Sequence, residues 1–327
     1  MQSKSENAAS ASGSALTNAA ILLTLTLVTM LYAMTVTIAN VSLPQIKGAL
    51  SATTDEIALI ITFNIIATAV ATPMTGWLST RFGRRNTLVW AVIGFTVSSF
   101  LCGTATSLEQ LVFYRFLQGA CGAPLPPLCQ AIVVDAYPKE KIGQANAIFG
   151  MGVVLGPILA PTLGGYLSET YSWRWVFYMM VPCGLASLIG VLIFIKSHVA
   201  DKRADLDWTG FISLAVAIAA FQFMLDRGER LDWLDNWQIA ACAIAAVTGL
   251  YIFITHSLTS DRPFLNPRLL LKRNYALGLL IAFIFGLLNF TPITLIPALL
   301  QTLRGYPDSV SYTHLRAHET DSYLVCR

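Results

Sequence analysis

The sequence predicts an all-α membrane protein, a polytopic transmembrane helix bundle with about nine spans, from its composition and its hydrophobic pattern. Hydrophobic residues make up 55% of the 327 residues and charged residues 12%, whereas a soluble domain is about 25% charged. The mean hydropathy is +0.62. Apolar stretches of about 20 residues, the length of a helix that crosses a bilayer, recur along the chain.

Nine apolar segments are long enough to be spans. They comprise residues 19–40, 56–78, 87–106, 109–134, 143–167, 174–196, 208–226, 237–257 and 275–301. The first is too long for the apolar part of a signal peptide, and no small-residue cleavage site follows it. We therefore expect it to be a membrane span.

The spacing of these segments divides the chain into five parts. Residues 1–18 are polar and rich in Ser, Ala and Asn, which predicts a disordered tail, and residues 19–200 are expected to form a six-helix bundle. Residues 201–260 hold two extra linker helices, and residues 261–308 begin a second bundle. Residues 309–327 are polar and resemble a translated sequencing adaptor, so we expect a foreign tail.

Basic residues indicate how the chain is oriented. They follow the even-numbered spans: Arg81, Arg84 and Arg85, then Lys139 and Lys141, then Lys196, Lys202 and Arg203, and finally Arg262, Arg268, Lys272 and Arg273. The opposite loops hold fewer, and Arg227 and Arg230 lie among acidic residues. By the positive-inside rule, the N-terminus and the loops after even-numbered spans are cytoplasmic.

The fifth span has an unusual composition for a helix. Residues 150–165, GMGVVLGPILAPTLGG, hold five glycines and two prolines. Such residues are costly in soluble helices but are tolerated in membranes, where small residues let helices touch. Gly152 and Gly156 share one face, while Pro157 and Pro161 are expected to bend the segment. The spacing alone is equally typical of ordinary close packing and of a functional contact.

Arg115 lies several residues inside the fourth span. An ionisable residue at that depth costs about 2.5–3.5 kcal/mol on insertion scales unless it is partnered or faces water. It is therefore a functional candidate, the alternative being a structural arginine bonded to the backbone of a neighbouring helix.

Other classes of protein are disfavoured. A net charge of +3, spread along the chain, is too small to indicate binding to a nucleic acid, so we expect no nucleic-acid partner. The cysteines form no CxxC pair, and His314 and His318 do not form an HExxH motif, so we expect no metal site and no cofactor. No cluster of His and acidic residues supports a membrane-embedded enzyme.

Several motifs resemble those of the major facilitator superfamily. The loop after the second span resembles its signature GxLaDRxGRR, with Thr80 at the acidic position. The fourth span matches RxxQG and the fifth GxxxGPxxGG with a longer gap. The matched residues are Gly76, Arg81, Gly83, Arg84 and Arg85; Arg115, Gln118 and Gly119; and Gly152, Gly156, Pro157, Gly164 and Gly165.

The first span resembles the LDxTIVNVALP motif of the fourteen-helix drug:proton antiporters. Asn40 matches, but Thr35 replaces the aspartate. WRWVFYMMVPCG and FQFMLDRGERLDW resemble further segments of that family, the second lying between its two extra helices. Asn64 and Gln130 are expected either to face a central cavity or to form interhelical hydrogen bonds.

The resemblance implies a partial major facilitator fold that exports hydrophobic or amphipathic drugs across the inner membrane by proton antiport with alternating access. It implies that Arg115 takes part in proton coupling, and that a periplasmic adaptor and an outer-membrane duct are partners. Uptake of a specific solute by the same fold is the alternative, although it predicts a more polar cavity than this chain offers.

Overall fold

The computed structural model describes residues 2–196, 205–260 and 262–304, and every regular element in these ranges is helical. The α-helices are α1 (Gln2–Ala49), α2 (Thr54–Ala71), α3 (Thr75–Phe82), α4 (Arg84–Thr104), α5 (Leu108–Gly122), α6 (Leu125–Ala136), α7 (Ile142–Thr170), α8 (Arg174–Tyr178), α9 (Met180–Phe194), α10 (Trp208–Arg227), α11 (Trp237–Thr259) and α12 (Arg273–Arg304). The all-α membrane class is therefore confirmed.

Eight helices or helix pairs within the described residues are long and apolar enough to cross a membrane, and they correspond to the first eight predicted spans. The ninth predicted span lies in α12, where Arg273–Leu288 is a shorter apolar stretch. Residues 2–18 are helical and continue into the first span, whereas we expected a disordered tail. Alanine, a strong helix former, is frequent there. The predicted foreign tail and the two histidines within it lie outside the described residues.

Three spans are built from two helical segments each. A 3₁₀ turn at Thr72–Met74 joins α2 to α3, and Pro124 precedes α6. The third break, at Met179, separates α8 from α9. In contrast, α7 runs continuously through Pro157 and Pro161. Proline removes one backbone donor but does not by itself end a helix that neighbouring helices support.

Side-chain caps fix the starts of two helices. The Thr53 hydroxyl accepts a hydrogen bond from the Glu56 N–H, and the Thr53 N–H donates to the Glu56 carboxylate, which is a capping box at the start of α2. Ser107 caps α5 by accepting from the Gln110 N–H. These caps set where the two helices that carry the candidate site begin.

Two apolar clusters hold the first six spans together. The larger joins α1, α4, α6, α7 and α9 around fully buried residues such as Leu25, Phe95 and Val191. The smaller joins the start of α2 to the ends of α1 and α4 and to α5 and α8, around Ile60, Leu111 and Phe177. Burial of these side chains places α5 between α2 and α4.

By its contacts the chain separates into two compact units, residues 1–206 with 214–249 and residues 207–213 with 250–327. In the second unit, the Asp207 carboxylate accepts hydrogen bonds from the N–H groups of Gly210 (2.9 Å) and Phe264 (3.1 Å), and its Oδ1 lies 2.8 Å from His256 Nε2. Burial raises the pKa of Asp207, but these hydrogen bonds together outweigh it, so its pKa lies below the usual range.

Candidate functional site

Helices α1 and α7 touch along a line of small residues. A Cβ atom added to Gly156 would lie 2.7 Å from the Met30 carbonyl oxygen, and one on Gly164 would lie 2.6 Å from Ile38 Cγ1. A Cβ on Gly152 would overlap Thr26. We call Gly152, Gly156, Ala160 and Gly164, all buried, together with the α1 residues they face, the glycine seam.

The spacing of the seam explains the longer gap in the motif. The small residues recur at every fourth position of α7, and the α1 residues that the three glycines meet, Thr26, Met30 and Ile38, are separated by four and eight positions. Positions four apart share one face of a helix, so a whole row of α7 lies against one row of α1. The residue numbers of the contacting pairs increase together along α1 and α7, so the two helices run parallel. Pro157 and Gly165 lie beside this row and are half-buried.

The loop between the second and third spans contains one required glycine. Gly83, which joins α3 to α4, has φ 84°, a conformation that L side chains rarely adopt. The chain therefore makes a tight reversal at this glycine. A Cβ added to Gly76 would meet no atom of the described residues within 4 Å, so no described helix packs closely at this position.

The arginines of this loop bind the ends of other helices. Arg84 forms a salt bridge with Asp135 near the end of α6, and Arg85 Nη2 donates to the Leu192 carbonyl in α9 (2.9 Å). Arg81 lies in the last turn of α3. Positive charges near helix C-termini are favourable because the last carbonyls are unpaired. Three spans are thus tied at one end of the bundle.

Arg115 is 1% exposed and lies inside the six-helix bundle. Its Nη1 donates to Gln118 Oε1 (2.6 Å), and Gln118 Nε2 donates to Ser99 Oγ on α4 (2.7 Å). The guanidinium also lies over the Phe177 ring, with 5.8 Å from Cζ to the centroid. Arg115 Nε has no hydrogen-bond partner within the described part of the chain.

Gly119, the last residue of the RxxQG motif, fixes the contact between α5 and α2. A Cβ on Gly119 would overlap the Asn64 backbone carbonyl. Asn64 Nδ2 donates to the Arg115 carbonyl (2.7 Å), and Thr68 Oγ1 donates to the Gly119 carbonyl (3.3 Å). Arg115 and Gln118 therefore face α4, while Gly119 brings α2 close to α5.

The electrostatics of this network are unusual. Within the described residues, the guanidinium of Arg115 donates to the neutral amide of Gln118 and forms no salt bridge with a carboxylate. A buried charge without an opposite charge is strongly disfavoured unless the fold holds it in place. The ring face of Phe177 offers partial compensation.

The four candidate cavity residues have different surroundings. Thr35 is buried, donating to the Leu31 carbonyl with Met180 Sδ also 3.1 Å away. Asn40 is exposed. Asn64 makes the interhelical hydrogen bond given above, and Gln130 Nε2 donates to Asn146 Oδ1 on α7 (3.0 Å). For Asn64 and Gln130, the structure therefore contains the interhelical bonds that were one of the two expectations.

Sequence reasoning missed Ser99, Phe177 and Ala160, which complete the network and the seam. Ala160 was detectable, since it extends the four-residue spacing of the glycines. Ser99 and Phe177 gave no local signal, because their role depends on which spans pack together. Within the described ranges, His, Cys, Asp and Glu form no group of three or more suited to a metal ion.

Comparison with known proteins assigns the family. The sequence model described as Major Facilitator Superfamily matches residues 25–315. The multidrug export protein EmrB of Escherichia coli K12 is 36% identical over 283 residues, which cover 86% of this chain and 55% of the relative. The fatty acid resistance protein FarB of Neisseria gonorrhoeae is 37% identical over 271 residues, covering 83% and 54%. The chain spans about half the length of these curated relatives.

Solved structures agree on the fold. The proton:xylose symporter XylE has a TM-score of 0.63 at 14% identity, with 93% of this chain and 66% of that chain covered. The POT family transporter PepTSo has a TM-score of 0.51 at 14% identity, with 73% and 53% covered. Since the family match covers most of the chain and the helical arrangement agrees with it, this protein, a multi-pass membrane protein, belongs to the Major Facilitator Superfamily.

Proposed function

We propose that the full-length protein exports hydrophobic or amphipathic drugs across the inner membrane, with the N-terminus in the cytoplasm. The observation that carries the proposal is the similarity to proteins named for multidrug export over 86% of this chain. The orientation is supported by the basic loops. A periplasmic adaptor and an outer-membrane duct are the proposed partners, and the proposed role is transport rather than catalysis.

Alternating access is the proposed mechanism, and the glycine seam supports it. Transporters of this kind work by moving helices against one another around a midplane site. Side chains that interlock would resist such motion, whereas a row without side chains presents a smooth backbone surface. We assign Gly152, Gly156 and Gly164 to keeping α1 and α7 in close contact while the helices move.

Proton antiport is the proposed energy source, and we assign Arg115 and Gln118 to coupling. Thr35 stands where the related antiporters have a carboxylate, so the proton is carried by an acid outside the first six spans. A buried guanidinium favours release of a proton from a carboxylate that approaches it. Because Arg115 is closed off by α4 and Phe177, this coupling requires the contact between α4 and α5 to open during the cycle.

The test is energised accumulation of a fluorescent amphipathic cation inside inverted vesicles that contain the full-length protein, at several external pH values, because export from the cytoplasm runs into such vesicles. Arg115→Ala is expected to slow efflux and to shift its pH dependence, while Arg115→Lys keeps the charge and retains more activity. Glu140→Gln, an exposed change in a loop, is the matched control. Energised movement of a single solute out of these vesicles, without accumulation of drug, would favour uptake, and identical pH profiles would remove Arg115 from the mechanism.

A further inference from the structure

The end of α10 contacts α2 through polar groups that the candidate site does not use. Thr62 Oγ1 donates a hydrogen bond to the Asp226 carboxylate. Arg227 Nη2 donates to the Asp55 carbonyl (2.8 Å), and Arg230 Nη1 lies 2.8 Å from Asp55 Oδ1. We call these five residues the polar clamp. All of them belong to the first compact unit.

The clamp contacts α2 at two heights. Asp55 lies in the first turn and Thr62 seven residues later, which corresponds to about 10 Å along a helix. A contact at one height would let α10 pivot about it, whereas contacts at two heights restrain that rotation. Thr62 is 1% exposed, so its hydroxyl is removed from water and depends on two protein acceptors, the Asp226 carboxylate and the Ala58 carbonyl of its own helix (3.1 Å).

Helix α2 is itself fixed in the bundle. Two residues beyond Thr62, Asn64 donates to the Arg115 carbonyl, and Thr68 bonds to the Gly119 carbonyl. One face of α2 therefore holds α5, and the clamp joins α2 to α10.

We propose that the polar clamp docks the loop end of the linker helix pair, residues 214–249, onto α2, so that this part moves with the first six-helix bundle during transport. The motion rests on the proposed function, whereas the docking does not. Thr62 and Asp226 are positioning residues that act by placing α10.

The experiment introduces Thr62→Cys and Asp226→Cys together into a full-length, cysteine-free protein and joins them with a short bifunctional methanethiosulfonate. Cross-linking is read by mass spectrometry of a peptide that links α2 to α10, with and without transported drug. Thr62→Cys with Asp232→Cys is the control pair, since Asp232 lies in the exposed loop and makes no contact with Thr62 in the described structure. Efflux is measured on the same vesicles before and after cross-linking.

Docking predicts a cross-link in the clamp pair that is at least tenfold more abundant than in the control pair and that drug does not change. Movement as one body predicts efflux within twofold of the rate before cross-linking. A clamp pair that cross-links no better than the control overturns the docking, and a loss of efflux on cross-linking overturns the shared movement. Absent efflux in the cysteine-free parent protein, which keeps Asp226 and Thr62, would refute the proposed function instead, while the cross-link still tests the docking.

Discussion

The glycine seam predicts that one methyl group at Gly156 destabilises the bundle while the same change at Gly150 does not. Both glycines lie in α7, six residues apart. A Cβ on Gly156 would be 2.7 Å from the Met30 carbonyl oxygen, about 0.7 Å short of the 3.4 Å at which ordinary contact begins. A Cβ on Gly150 would meet no atom of the described residues within 4 Å.

The expected magnitude follows from which atom is met. A carbonyl belongs to the α1 backbone and cannot rotate away, so α1 and α7 must separate along the seam. Forcing an extra carbon into a packed interior costs about 1–3 kcal/mol. The gain in helix propensity from Gly to Ala, about 1 kcal/mol in soluble helices, is common to both variants and cancels in their comparison. Gly156→Ala should therefore be about 1–3 kcal/mol less stable than Gly150→Ala.

The assay is unfolding of the purified protein in mixed micelles, followed by near-ultraviolet circular dichroism as the fraction of denaturing detergent rises. Gly152→Ala is an informative intermediate case, because there the added carbon meets the end of the Thr26 side chain, which can change rotamer. Equal unfolding midpoints for Gly156→Ala and Gly150→Ala would refute the close contact between α1 and α7. In the full-length protein, Gly156→Leu should abolish efflux while insertion persists.

Three further outcomes are expected. Thr80→Cys and Asp232→Cys, at exposed positions, should react with an impermeant thiol reagent from opposite sides of the membrane, and labelling of both from one side would contradict the proposed topology. Gly83→Ala should lower stability by about 1 kcal/mol because of its positive φ, whereas Gly76→Ala should not, as a thermal denaturation series would reveal. Because folding lowers the pKa of Asp207, the contribution of this carboxylate to stability is present above its unfolded pKa and is lost as the pH falls through its folded pKa. Asp207→Asn should therefore remove that part of the acid sensitivity, measured by hydrogen exchange at the ends of α10 and α11. An unchanged pH profile in this variant would contradict the prediction.

The spans and the class of protein could be predicted from the sequence by itself. A helix satisfies its own backbone hydrogen bonds, so an apolar run of about 20 residues is sufficient to indicate a span in a bilayer. The tight turn at Gly83 and the face of small residues on α7 were also predictable, because each depends on residues close together in the chain.

Only the tertiary structure decided what the polar residues do. Arg115 could equally have faced an open cavity or the bundle interior, and the packing of α4, α5 and α8 encloses it with Ser99 and Phe177. The surroundings of Asn64 and Gln130 were equally undecided by the sequence, and the structure supplies their hydrogen-bond partners on α5 and α7. The physical reason is that a polar group within a membrane must find a partner, and that partner lies on another helix at no fixed distance along the chain.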